Sequence, residues 1–149
     1  MNEILSKLYL GKESSFETKT DKMINLHGAF GKMKEGGFSY NITWNEVSFS
    51  PNTKKINTPY FMGRIHEGDH DVSIKGSFRV STFHLIIVIM VSLGLLILLF
   101  IGLIKGRPDG AKIFSLLFVL FQVQVIFDRL KILKSIRNMK NIFHSLISK

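Results

Sequence analysis

Two periodicities run along this chain, and a third stretch has none. Ile4, Leu5, Leu8 and Tyr9 fall on one side of a short helix over Asn2–Leu10, which Gly11 can end. Further on the period is two. Phe38, Tyr40, Ile42 and Trp44 alternate with Ser39, Asn41 and Thr43, and Val72, Ile74, Gly76, Phe78 and Val80 alternate with Ser73, Lys75, Ser77 and Arg79. Both runs predict half-buried antiparallel strands. Pro51 and Pro59 bracket a loop over residues 50–58, and residues 16–19 or 21–26 supply a further strand. From Thr82 to Ile104 the residues are apolar on every side and carry no charge. A bilayer core of about 30 Å needs about 20 such residues in a helix, so this stretch predicts a transmembrane span. The residues before it are too few to bury such a helix all round.

Lys105-Gly106-Arg107-Pro108-Asp109-Gly110-Ala111-Lys112 then breaks the helix with turn formers and basic residues suited to a headgroup surface. A second apolar run, residues 112–127 with Lys112 snorkelling at its start, predicts a second span and hence a helical hairpin. A re-entrant or surface-lying segment is the alternative. Gln122 and Gln124 lie in this run, and each needs a polar partner or water. They lie about 200° apart on a helix, so no single orientation hides both from lipid. An oligomer, or contact with another membrane protein, is therefore expected through the face bearing one of them. Residues 128–149 form a basic amphipathic helix. Ile132, Leu133, Ile136, Met139, Phe143, Leu146 and Ile147 share one face, and Lys140 is the one basic residue out of place. That face suits anionic lipid headgroups, with Arg129, Lys131, Lys134 and Arg137 on the polar side, or it suits the protein's own β domain. The 4, 3, 4, 3 spacing of Ile132, Ile136, Met139, Phe143 and Leu146 also makes a short heptad seam for self-association.

Basic residues flank the predicted hairpin at Lys75 and Arg79 on one side and at Arg129, Lys131, Lys134, Arg137 and Lys140 on the other. They outnumber Lys105, Arg107 and Lys112 in the turn. Met1–Leu10 contains no apolar core of signal-peptide length. Both termini are therefore expected in the cytoplasm of a bacterial cell, with the protein in the inner membrane and Asn41-Ile42-Thr43 unglycosylated. The organisation predicted is a cytoplasmic β-rich domain over 1–81, two transmembrane helices over 82–104 and 112–127, and the basic helix over 128–149. The fold class is α+β: a short helix, a small antiparallel meander or partial barrel, a transmembrane hairpin and an amphipathic C-terminal helix.

An internal repeat lies in the β region. Phe30-Gly31-Lys32-Met33-Lys34-Glu35-Gly36 aligns without gaps on Met62-Gly63-Arg64-Ile65-His66-Glu67-Gly68, an offset of 32 residues. Each copy reads as strand, turn and strand, with Gly36 and Gly68 supplying the positive φ of a hairpin and Gly31 and Gly63 marking a bulge or close backbone contact. Phe30, Gly31, Met33, Gly63, Ile65 and Arg79, leading into two spans, resemble the F-x-G-x-I hairpins of a group of small uncharacterised bacterial two-span membrane proteins, over roughly residues 28–105. This chain has Asn57-Thr58-Pro59-Tyr60-Phe61 where that group carries Y-R-N-S-F. The resemblance implies an architecture and no activity.

The net charge of +9 is uneven: residues 1–81 hold 11 Lys and Arg against 9 Asp and Glu, while residues 128–149 hold 6 against 1. The absence of cysteine excludes a disulfide scaffold, a thiolate zinc site and a thiol nucleophile. His66, Asp69 and His70 form the densest set of metal ligands, but the equivalent turn of the other repeat copy lacks them, so a solvated polar turn is expected rather than a metal. Phe38, Tyr40, Trp44 and Phe49 beside Lys32, Lys34, Lys54 and Lys55 read as the buried face of the β domain and not as a base-stacking sheet, and no nucleic-acid partner is expected. A small ligand inside a partial barrel is a further option. His27, His84 and His144 are isolated along the chain. No nucleophile elbow, phosphate-binding loop, metalloprotease pair or dinucleotide fingerprint is present, so neither an enzyme nor a cofactor is expected.

Three functions compete. The first is a non-enzymatic binding or regulatory module held at the membrane. The second is an oligomeric membrane-disrupting or pore-forming effector gated by a small ligand. It is similar in outline to antiphage effectors that join two spans to a nucleotide-sensing β-barrel, although those place the spans first. The third is an accessory subunit of a membrane complex.

Overall fold

The computed structural model describes the whole chain except Met1, Asp21, Lys22, Lys54, Ile56, Asp69, His70, Arg107, Ser148 and Lys149. Alternation of apolar and polar residues produces five strands: β1 (Ser15–Thr20), β2 (Phe38–Thr43), β3 (Glu46–Pro51), β4 (Tyr60–Glu67) and β5 (Val72–Arg79). They pair antiparallel in the order β1-β5-β4-β3-β2, so the four later strands are a meander and β1 joins the far edge beside β5. The sheet is open. The expected partial barrel does not close, because α2 (Met23–Glu35) carries the chain from one sheet edge to the other instead of adding strands. Three further helices complete the fold: α1 (Asn2–Leu10), α3 (Thr82–Ile104) and α4 (Pro108–Ile147). A 3-10 turn, Gly11–Ser14, joins α1 to β1.

The first copy of the repeat is helix, which corrects the expectation of two equivalent hairpins. As a strand, Phe30 would share its face with Lys32 and Lys34, whereas helical spacing buries Phe30 and Met33 together and leaves both lysines in water. The second copy has the opposite parity: Phe61 and Ile65 point into the core while Met62, Arg64 and His66 point out. It forms the expected hairpin, β4–β5, closed by a hydrogen bond from the Gly68 N–H to the Asp71 carbonyl at 2.7 Å. The turn glycines also need correction. Gly36 follows the end of α2, and Gly37, with φ of 84°, supplies the left-handed residue there. Gly68 lies in the turn, but its φ is not positive.

One face of the sheet is apolar, and helices cover it. Phe16, Phe49, Phe61, Phe78, Val47, Ile65, Val72 and Ile74 meet Phe30 and Met33 of α2 and Ile132, Ile136, Met139 and Phe143 of α4. Phe143 is central, with ring centroids 5.4 Å from Phe49, 5.6 Å from Phe16 and 5.7 Å from Phe30. The Phe61 ring lies against Gly63 and Gly76, which oppose each other across β4 and β5; a Cβ on either would come within 2.6 Å of it. That is the close contact expected at Gly63. Gly31, in α2, has nothing within 4 Å of a built Cβ, so the reading fails there.

The second apolar run and the basic tail are one uninterrupted helix of 40 residues, about 60 Å long. α3 ends at Ile104 and the next helix starts at Pro108, where the missing N–H is harmless. α3 and α4 run together as a hairpin. Near the turn they approach closely enough that a Cβ on Gly102 would sit 3.2 Å from the Ala111 nitrogen. Of the 23 residues of α3, only Leu85 and Gly102 are buried. Both helices are long and apolar enough to cross a membrane.

Candidate functional site

The strand register fixes what the other face of the sheet displays. Residues paired across strands share a face, so Glu17, Lys75, Arg64 and Glu46 form one row, and Ser15, Ser77, Met62, Ser48 and Asn41 form the next. Most of these side chains are exposed, with Ser77 buried. Glu3 and Lys7 of α1 border one side of this face, and a groove of about 770 Å³ lies over it. Lys7, Arg64, Lys75 and Arg79 line it against Glu3 and Glu46, a surplus of two positive charges.

These charges are paired loosely. Lys75 reaches Glu17 at 3.5 Å and Arg64 reaches Glu46 at 3.8 Å, both largely exposed. Such pairs contribute about 0–1 kcal/mol each, so the cations are free to change partners at little cost. The α1 end is tighter. Arg79 donates to Glu3 at 3.2 Å and to the Ser77 hydroxyl at 3.3 Å, while Lys7 lies 3.0 Å from Glu3. The hydrogen bond from Lys7, together with the charges of Lys7 and Arg79, holds the Glu3 carboxyl below its usual range. Hydroxyls, amides and mobile cations along this groove suit an anionic or hydroxylated small molecule. Sequence reasoning missed this groove because its residues come from α1 and all five strands.

The residues singled out from sequence are dispersed. His66 lies on the outward face of β4, Asp69 and His70 lie outside the described residues, and no three His, Asp or Glu among the described residues come together. Trp44 is not on a buried face: it sits at the β2–β3 tip, 94% exposed, with φ of 55°. Tyr40, also exposed, stacks on Phe30 at 5.3 Å, and Phe49 is buried as expected.

The Gln122 amide donates to Ser92 of α3 at 3.1 Å, and the Gln124 amide to Asp128 one turn along α4 at 3.3 Å. Both glutamines thus have partners within one chain. Of the tail cations, Arg129 and Lys134 are exposed, and Lys131 lies 4.0 Å from Asp128. Arg137 reaches Glu13 of the 3-10 turn at 3.3 Å, and Lys140 reaches the same carboxylate at 3.1 Å. Lys140, misplaced on the helical wheel, has its ammonium 5.7 Å from the Phe78 ring centre and bonded to Glu13. Its position on the apolar face was the sequence signal for a partner reached across the core edge.

At the root of α3, the Tyr9 ring meets His84 edge-on at 6.1 Å. The Tyr9 hydroxyl and His84 Nε2 are buried there without hydrogen-bond partners among the described residues, and burial pushes the Tyr9 hydroxyl pKa up. Compared with family models, with curated proteins and with solved structures, the chain matches none of them.

Proposed function

We propose that this chain is a membrane-anchored binding module. α3 and the first half of α4 cross the bilayer, and the sheet presents its polar groove on one side of it. The observation that carries this reading is the composition of α4. One half is an uncovered apolar surface, while the other supplies Ile132, Ile136, Met139 and Phe143 to the core of the sheet. Anchor and module therefore share a single helix, and a shift of the hairpin is transmitted to the sheet without a flexible joint. Packing of the tail on the sheet supports a topology with both flanks of the hairpin on the same side of the membrane, and the flanking basic residues favour the cytoplasmic side. The module works by binding, with Arg64, Lys75 and Arg79 as recognition groups for an anionic ligand.

The pore-forming alternative draws on glutamine amides that need partners. The bonds from Gln122 to Ser92 and from Gln124 to Asp128 give each amide a partner within one chain, which weakens the support for that alternative. An accessory role in a larger complex would use the same exposed hairpin surface. Extraction of the expressed protein at alkaline pH tests the anchor: retention with the lipid fraction is expected, and release into the soluble fraction would sink it. A reporter fused after Lys149 tests the side, since activity confined to a periplasm-dependent reporter would reverse the orientation.

A further inference from the structure

The short helix α1 carries an apolar pair that nothing among the described residues covers. Ile4 is 67% exposed and Leu8 77%, whereas Ser6 and Leu10 of the same helix are buried. At about 100° per residue, Ile4 and Leu8 lie within about 40° of each other and on the side opposite Ser6 and Leu10. The helix is therefore apolar on two sides, and the sheet accounts for only one.

Its position says what meets the other. The Val80 N–H donates to the Ser6 hydroxyl at 3.3 Å, fixing the buried side of α1 at the end of β5. Two residues later the chain enters α3 at Thr82, and Tyr9 packs on His84 in the first turn of that helix. α1 also touches α4. Its Ile4–Leu8 side is thus turned away from the sheet at the place where the two apolar helices leave it. Phe83, in the first turn of α3, is also exposed, and Lys7 and Lys12 flank Leu8 in the chain as exposed cations. An apolar pair flanked by lysines at the foot of a spanning helix has the chemistry of the headgroup–acyl boundary.

We propose that α1 is an interfacial helix whose Ile4–Leu8 side lies in the lipid surface that α3 and α4 cross. The inference rests on the membrane reading above and adds a second lipid contact to it, on the element that borders the groove. Glu3, on the groove side of α1, holds Arg79. Movement of α1 at the lipid surface would thus shift a groove cation, which couples the state of the membrane to ligand binding.

The chain has no cysteine, so single labels can be introduced without background. The full chain carrying Leu8→Cys, Ile4→Cys, Leu96→Cys or Asn45→Cys, each labelled with an environment-sensitive fluorophore, is reconstituted in vesicles of phosphatidylethanolamine and phosphatidylglycerol. Lipid brominated near the headgroup should quench the labels at 4 and 8 at least about twofold more than the label at 45, which iodide alone should reach. A label at 8 that behaves like the one at 45, or that is shielded from both quenchers by protein, overturns the proposal. In either case, deep bromolipid quenching at 96 shows that the spanning reading survives. If the label at 96 is not quenched by lipid, the spanning reading fails and this inference falls with it.

Discussion

At the residue scale, single atoms of backbone and carboxylate decide more than residue type. Gly36 and Gly37 are adjacent and chemically identical, yet only Gly37 holds a positive φ, because it lies one step past the last turn of α2. Gly37→Ala should destabilise the folded chain by about 1 kcal/mol, while Gly36→Ala should change stability by less than about half of that. Thermal unfolding of both variants in detergent measures the difference, and equal losses would contradict the assignment. Which glycine takes the left-handed conformation was not legible in the sequence, since Gly-Gly offers both.

At the element scale, the tail of α4 is held by packing and by one carboxylate. Glu13 accepts from Lys140 and Arg137, and these contacts hold its pKa below the usual value, the Lys140 hydrogen bond contributing most. A carboxyl whose folded pKa is depressed stabilises the fold above its unfolded pKa, near about 4.3, and loses that contribution as pH falls through the folded value. The parent should therefore lose stability on acidification below that range more steeply than Glu13→Gln. Urea unfolding midpoints across that range compare them, and parallel curves would mean that the pair contributes nothing. The seam Ile132, Ile136, Met139 and Phe143 was visible as a helical face, and sequence reasoning weighed lipid, a second copy and the chain's own sheet as its partner. The sheet occupies it, and each of these four residues is at most 3% exposed.

For the whole molecule, the consequence is that the sheet depends on residues 132–143, far beyond the end of its last strand at Arg79. Without the tail, the inner face of the sheet would expose Phe16, Phe49, Phe61 and Phe78, which are each at most 6% exposed in the intact chain. Phe143→Ala should cost about 3–5 kcal/mol, the range for emptying an aromatic site in a packed core. A chain ending at Phe127 should lose the protease resistance of residues 1–81. A sheet that stays resistant in the truncated chain would show that α2 alone suffices as its cover.

The sequence by itself determined the local features: the charge-free helix Thr82–Ile104, the second apolar run, the β4–β5 hairpin and the alternation of β2 and β5. Each is set by a periodicity or by the lack of charge over neighbouring residues, and no distant partner is needed to read it. Tertiary structure decided the rest. Phe30–Gly36 and its repeat copy match in spacing, but one is helix and the other strand, because the covered face selects which side chains are buried together. Trp44 follows the strand alternation and still lies outside, since the chain turns at that point. The groove and the Glu13 clamp on Lys140 join residues from separate elements, and the uncovered side of α1 depends on which side of that helix the sheet takes. Sequence periodicity shows that a helix has an apolar face; only the packed fold shows whether protein covers it.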